Sequence, residues 1–256
     1  MRGHRVSEAC VIKPFILLCL VSSLAACGQP GAQDTVTVAV AANFKTVLDN
    51  LETEFEAQTN YELDMVVGST GKLYAQIIYG APYDVFLAAD QERPSRLIEE
   101  GEAVSDSRLT YALGRLVLWG AGAPNRLADP EIKRIAIANP NLAPYGKAAD
   151  QVLSHLGLTA TTQSKLVLGE NVGQAFAFVS TGNAQVGFVS EAQIISLGGE
   201  GSKPSWRPPS ASHDPIAQDA VLLARAAESQ AARAFMAFLE TAQARDIIAQ
   251  NGYDLP

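Results

Sequence analysis

The pattern of apolar and polar positions alternates between two periods along most of the chain. Thr35–Ala41 (TVTVAVA) is a continuous small-apolar run that predicts a buried strand, and Phe44, Val47, Leu48, Leu51 and Phe55 then recur at helical spacing. Glu62–Val67 predicts a second strand, followed by a helix carrying Leu73 and Ile77, and Val85–Ala88 predicts a third. Further strands are expected at Arg115–Trp119, Arg134–Ala138, Lys165–Leu168, Ala184–Val189 and Ala220–Leu223. Helices are expected near Pro144–Leu156 and Val172–Thr181, with a helical tail carrying Ala231, Phe235, Phe238 and Leu239. Short apolar runs alternating with amphipathic stretches predict an α/β protein. There is no internal repeat and no heptad seam, and a monomer is expected. Gly198–Pro215, rich in Gly, Ser and Pro, has the composition of a long connection. A chain that leaves one lobe near Gly114, builds a second and returns near Asp214 would place a cleft between them. The expected division is lobe 1 from 34–113 and 214–256, and lobe 2 from 114–213.

The N-terminus follows a different rule. Arg2, Arg5 and Lys13 precede an uncharged run, Phe15–Ala26, that is too short for a membrane span of about 20 residues. Residues 1–26 are expected to be a signal peptide. Leu24-Ala25-Ala26-Cys27 resembles the lipobox of bacterial lipoproteins, which implies lipidation of Cys27 and a flexible anchoring linker over 27–33 at the periplasmic or cell surface. Three of the 19 basic and one of the 27 acidic residues would leave with the leader, giving 16 Lys+Arg against 26 Asp+Glu, a net charge of −10. That balance argues against nucleic acid, where basic patches supply affinity. Cys10 and Cys19 would also leave, so Cys27 has no disulfide partner.

Four strand-to-helix turns carry the candidate chemistry: Ala41-Ala42-Asn43-Phe44, Gly68-Ser69-Thr70-Gly71, Asn139 to Gly146, and Glu170-Asn171-Val172-Gly173. The first N–H groups of a helix lack internal partners and sit at the positive end of its dipole, so such turns bind anions. Asn, Ser and Thr are also ordinary helix caps, so each turn becomes a site only if the four converge.

The wording of these turns is similar to that of the molybdate-binding proteins of ABC transporters. The resemblance runs through Val38–Phe44, Gly68–Ile77, Gly80–Asp90 (GAPYDVFLAAD), Asn139–Leu153, Glu170–Val179, Val186–Val189 and Gly252-Tyr253. It implies the type II periplasmic binding-protein fold, two α/β lobes each with a mixed sheet flanked by helices. Carried over by position, it places anion contacts at Asn43 with Ala42 beside it, at Ser69, at Tyr145 and at the Val172 backbone, with Thr70 and Ser190 as further candidates. Some members carry a tyrosine where this chain has Ser190, and Tyr145 is expected to supply that hydroxyl. The ligand would be molybdate, and tungstate with it, and the partners the permease and ATPase subunits of an ABC importer. No cofactor is expected; molybdenum would arrive only as its oxoanion, without direct protein ligands.

The residues fit a fully deprotonated anion, since the turns offer donors and only one carboxylate. Glu170 is expected to face solvent or cap its helix, and Lys45, Lys72 and Lys147 to be solvated. Asp84 and Asp90 read as structural hydrogen-bonders. Sulfate or phosphate is the alternative ligand. The enzyme alternative is a penicillin-interacting serine protein using the Ser69-x-x-Lys72 spacing, although S-D-N and K-T-G elements are absent. A P-loop fails because Leu73 follows Gly71-Lys72 and Val66 occupies the first glycine position. Beyond residue 26 the only histidines are His155 and His213, too few for a metal centre.

Overall fold

The structure, a computed structural model, describes Gly3 and residues 35–120 and 123–256. Apart from Gly3, the expected leader lies outside the described residues, as do the linker and Cys27. In chain order the elements are β1 (Thr35–Ala41), α1 (Lys45–Gln58), β2 (Glu62–Gly68), α2 (Thr70–Ile78), β3 (Val85–Leu87), α3 (Glu92–Glu99), β4 (Leu109–Gly114) and β5 (Leu116–Gly120). They continue with β6 (Ile135–Ala138), α4 (Pro144–His155), α5 (Thr159–Thr162), β7 (Leu166–Gly169), α6 (Val172–Ser180), β8 (Val186–Ser190) and α7 (Glu191–Ile195). The chain closes with β9 (Ile216–Leu222), α8 (Gln230–Leu239) and α9 (Ala242–Gln250). Among the described residues no helix is long and apolar enough to cross a membrane.

Two mixed sheets result, one ordered β2-β1-β3-β9-β4 and the other β5-β8-β6-β7. In the first, β1 runs parallel to β2 and β3, while β9 is antiparallel to β3 and β4. In the second, β6 is parallel to β7 and β8, and β5 is antiparallel to β8. The period-2 alternation of side chains explains the two-sided burial of the first sheet. Val36, Val38 and Val40 of β1, Val85 and Leu87 of β3, and Ala220 and Leu222 of β9 pack with Phe44, Leu51 and Phe235 on one face. Ala39, Phe86 and Val221 point the other way, onto Leu73, Ile77 and Leu97. The edge strands β2 and β7 are covered less completely and leave Val67 and Leu168 about half exposed.

Several sequence expectations need correction. β4 was not anticipated. Its pairing with β9 shifts register between Thr110 and Ala112, which breaks the alternation that would mark a strand. β9 begins at Ile216 rather than Ala220, because Gln218 and Asp219 are polar yet fully buried. Asp219 is held there by the Thr110 hydroxyl at 2.7 Å and the Gln91 amide at 3.0 Å. Helices α3 and α7 were not anticipated either. The tail is two helices, since the Thr241 hydroxyl caps α9 by accepting from Ala244 N–H at 3.2 Å. The Gly198–Pro215 connection carries two short 3₁₀ turns and a bridge from Trp206 to Leu118.

The chain passes between the sheets at 114–116, where β4 ends and β5 begins, and returns through 190–216. Gly114 of β4 pairs with Ile216 of β9, and the C-terminal Asp254 bridges Leu113 in both directions at 2.8 and 3.0 Å. The tail therefore lies against the crossover and delivers Tyr253 to the interior.

Candidate anion site between the sheets

Each of the four turns lies where a parallel strand ends and a helix begins, the end of an α/β sheet at which ligands bind. β1 leads into α1, β2 into α2, β6 into α4 and β7 into α6. The four converge. Asn43 and Tyr145 both hydrogen-bond Gln218, which ties the first turn to the α4 turn. Gly71 N–H donates to the Leu142 carbonyl at 2.8 Å, tying the α2 turn to the α4 turn. Lys72 Nζ stands 2.7 Å from Glu170, tying the α2 turn to the α6 turn.

Asn43, Ser69, Tyr145 and Val172 are each 2–3% exposed. Their backbone N–H groups donate to no carbonyl of the described residues. Tyr145 and Val172 stand in the first turns of α4 and α6, where intrahelical acceptors do not exist. A buried donor without an acceptor costs about 1–3 kcal/mol. Four of them, contributed by both sheets, define a place suited to an acceptor-rich group. The Ala42 N–H, in contrast, donates to Gly68 O at 2.9 Å, so Ala42 contributes only its methyl group to this region.

The side chains at the turns have separate duties. Ser69 Oγ accepts from Lys72 N–H at 3.4 Å and caps α2, leaving its own proton to donate. Thr70 Oγ1 accepts from Ala89 N–H at 3.1 Å, which anchors α2 to the end of β3. Asn171 caps α6 by accepting from Gln174 N–H at 3.0 Å.

Behind the amides lies a network that the sequence reading did not assign. The Asn43 amide donates to Gln218 Oε1 at 2.8 Å and to the Tyr253 hydroxyl at 3.0 Å, and Tyr253 donates to the Asn43 carbonyl at 2.8 Å. Tyr111 donates to the Ala88 carbonyl at 3.0 Å and lies 3.1 Å from Gln218 Oε1. The Tyr145 oxygen accepts from Ser190 Oγ at 3.3 Å and from Gln218 Nε2 at 3.4 Å. The Tyr145 hydroxyl, expected as a ligand donor, only accepts in these contacts, so its own proton and its backbone N–H both remain available to donate. The backbone at Gly114 approaches this oxygen closely, and a Cβ there would fall 2.2 Å from it. Only glycine fits at that crossover. Phe44 packs edge-on against Tyr111 and Tyr253, with centroids at 4.7 and 5.3 Å, and fixes both rings.

The network is uncharged. Burial pushes the Tyr253 phenol up to about 12, and burial likewise raises Tyr111 and Tyr145 well above the ordinary tyrosine value. The cations that follow the turns are paired with carboxylates instead. Lys45 binds Asp49 at 2.7 Å, Lys72 binds Glu170, and Lys147 lies 3.7 Å from Asp214. Glu170 faces solvent, as expected, with its side chain 36% exposed, and there it also meets Lys72 across the cleft. Asp84 accepts from Thr37 N–H at 2.8 Å and pairs with Arg225. Asp90 accepts from Arg93 N–H at 3.1 Å and pairs with the same arginine. Burial raises the Asp90 carboxyl, and the Arg93 charge opposes that rise. Among the described residues no group of three or more His, Cys, Asp or Glu could hold a metal ion.

Gln218, Tyr111 and Tyr253 were legible only in part. Gly252-Tyr253 belonged to the resemblance, but nothing in one-dimensional spacing places it beside Asn43.

Two α/β sheets joined by crossover strands, with helix starts meeting between them, define the periplasmic binding-protein class. Residues 36–254 match the family described as bacterial extracellular solute-binding protein, and the chain belongs to that family. It is 42% identical over 247 residues to the molybdate-binding protein ModA of Azotobacter vinelandii, covering 94% of this chain and 97% of the relative. It is 44% identical over 242 residues to ModA of Rhodobacter capsulatus, covering 92% and 93%. The solved structure of the Azotobacter vinelandii periplasmic molybdate-binding protein superposes with a TM-score of 0.80 at 41% identity, over 86% of this chain and 99% of that one.

Proposed function

We propose that this protein captures molybdate, and tungstate with it, outside the cytoplasm and delivers the anion to the permease and ATPase subunits of an ABC importer. The observation that supports this reading is that four turns from both sheets are tied together, each carrying a buried backbone N–H with no carbonyl partner among the described residues, while the lysines beside them are paired with carboxylates. Relatives named molybdate-binding, at 42–44% identity over more than nine-tenths of the chain, support the choice of anion.

The anion is held by the N–H groups of Asn43, Ser69, Tyr145 and Val172 and by the Ser69 hydroxyl. Ala42 forms a wall, and Thr70 and Ser190 support the site from behind. Molybdate is a dianion with four acceptor oxygens and no proton near neutrality, which matches a set of donors. Singly protonated phosphate would need an acceptor as well. Neutral donors also spare the protein an uncompensated buried cation between loads.

The chain divides at 113/114 and 213/214 into lobe 1 (34–113 and 214–256) and lobe 2 (114–213), a division supported by the membership of the two sheets. It acts as a monomer and performs no chemistry on its cargo. Lys72 is engaged with Glu170, so Ser69 lacks the activating base that the penicillin-interacting alternative requires. Residues 1–26 direct export and Cys27 carries a lipid, which Cys27→Ala tests by release from membranes; retention on the membrane would refute the anchor.

Titration calorimetry with molybdate, tungstate, sulfate and phosphate tests the central claim. Tight binding of the first two with weak or absent binding of the others is expected. A preference for sulfate or phosphate would refute it.

A further inference from the structure

A second set of contacts joins the two sheets at the mouth of the cleft, and none of its side chains belongs to the anion site. Gly71 is the second residue of α2, so its N–H has no acceptor within the helix. It donates instead to Leu142 O, in the turn before α4, at 2.8 Å. Lys72 Nζ lies 2.7 Å from Glu170 Oε1, in the turn before α6. Arg93, oriented by its pair with Asp90, places Nη2 3.4 Å from Asn141 O. All three contacts reach from elements of the first sheet to turns of the second. Each exists only while the two lie together, and neither sheet uses any of them to fold.

We propose that Gly71, Lys72 and Glu170, aided by Arg93, are positioning residues that form a closing strip and set how long the bound anion is retained. The inference rests on the reading of the cleft as an oxoanion site. A side chain at Gly71 would crowd the strip: a Cβ would meet Leu142 O at 3.1 Å and Leu142 Cα at 3.2 Å, so the α4 turn would have to yield by a few tenths of an ångström. The Lys72 and Glu170 side chains are 51% and 36% exposed, so their attraction is open to salt. Salt dependence of retention then follows from the strip, although no cation touches the cargo. A ligand favours the closed arrangement only by its differential affinity for it, and the strip adds to that difference.

The rival assignment is that Lys72 pairs with the anion itself. The two differ in sign at Glu170. With Lys72 as an anion partner, Glu170→Gln frees the lysine and binding tightens. With the strip, Glu170→Gln and Lys72→Met each speed release roughly two- to five-fold, the modest range of an exposed ion pair. The reversed pair Lys72→Glu with Glu170→Lys restores slow release. Gly71→Ala speeds release more, although alanine favours the helix and leaves the fold intact.

The experiment is stopped-flow measurement of molybdate release from the full-length exported protein and these variants, at low and high salt, with calorimetric affinities alongside. Faster release with restoration by charge reversal, and loss of the salt effect in the neutral variants, is expected. Tighter binding by Glu170→Gln, or release unchanged in both Glu170→Gln and Gly71→Ala, overturns the strip. If the wild-type protein binds no molybdate, the proposed ligand falls, and small-angle scattering still reads the strip. A larger radius of gyration for Glu170→Lys than for wild type supports it, and equal radii overturn it.

Discussion

Two polar clusters connect the halves of this molecule, and they are built on opposite principles. The inner one, Asn43, Tyr111, Tyr145, Ser190, Gln218 and Tyr253, is neutral, between 0 and 3% exposed, and joined by one hydrogen bond after another. The outer one, Lys72 with Glu170 and Arg93 with Asn141, is charged and open to solvent. Inside, each side chain of the cluster finds a partner, because desolvation makes an orphan costly, and only the backbone N–H groups turned to the anion are left open. Outside, water replaces any partner that leaves, so the contacts form and break cheaply. A protein that grips and then releases an anion needs both: a fixed interior that holds donor geometry and an exterior that can part.

The largest expected effect is at the centre of the inner cluster. Gln218→Leu removes the acceptor of Asn43 and Tyr111 and the donor to Tyr145 without changing volume much. A loss of about 2–4 kcal/mol in urea unfolding is expected, because three buried groups each lose one of two partners and keep only Tyr253, the Ala88 carbonyl and Ser190. A loss below 1 kcal/mol would show that the network adapts.

Next comes the anion grip itself. Val172→Pro deletes one N–H at the first position of α6, where proline is tolerated. Asn171 before it already has the extended backbone (φ −142°, ψ 175°) that proline imposes on its predecessor. Molybdate affinity should fall about 10- to 100-fold, the worth of one hydrogen bond to a charged group, with the melting temperature nearly unchanged. Unaltered affinity would remove Val172 from the site.

A smaller effect comes from the phenols. Their folded-state pKa values are raised, so the folded state keeps protons that the unfolded chain loses. Stability is full below the ordinary tyrosine value of 10 and falls as pH rises towards about 12 for Tyr253. Denaturation measured between pH 9 and 12 should show this decline, and Tyr253→Phe should make it shallower. The smallest effect is at the exposed pair Lys45–Asp49, where Lys45→Ala should change both stability and molybdate affinity by less than about 0.5 kcal/mol. A large affinity loss there would mean that a lysine reaches the anion and that the neutral-donor account is wrong.

What was legible beforehand follows the range of the forces involved. Strands β1, β2, β3, β5, β6, β7 and β8 and helices α1, α2, α4 and α6 were visible because burial stamps a local period on the chain. β4 was hidden by its bulge, and the first half of β9 by Gln218 and Asp219, polar residues made safe by partners more than a hundred positions away.

The sequence by itself determined the alternation of strands and helices, the four small-residue turns, and a resemblance covering nearly all of the chain beyond residue 33. Those are properties of neighbours, and neighbours share local sterics and burial. Only the tertiary structure decided that the four turns meet, that the Tyr145 hydroxyl serves Gln218 and Ser190, and that Lys72 answers to Glu170. Those outcomes depend on distances between residues far apart in the chain. Electrostatics and hydrogen bonding act over a few ångströms of space, whatever the separation in sequence.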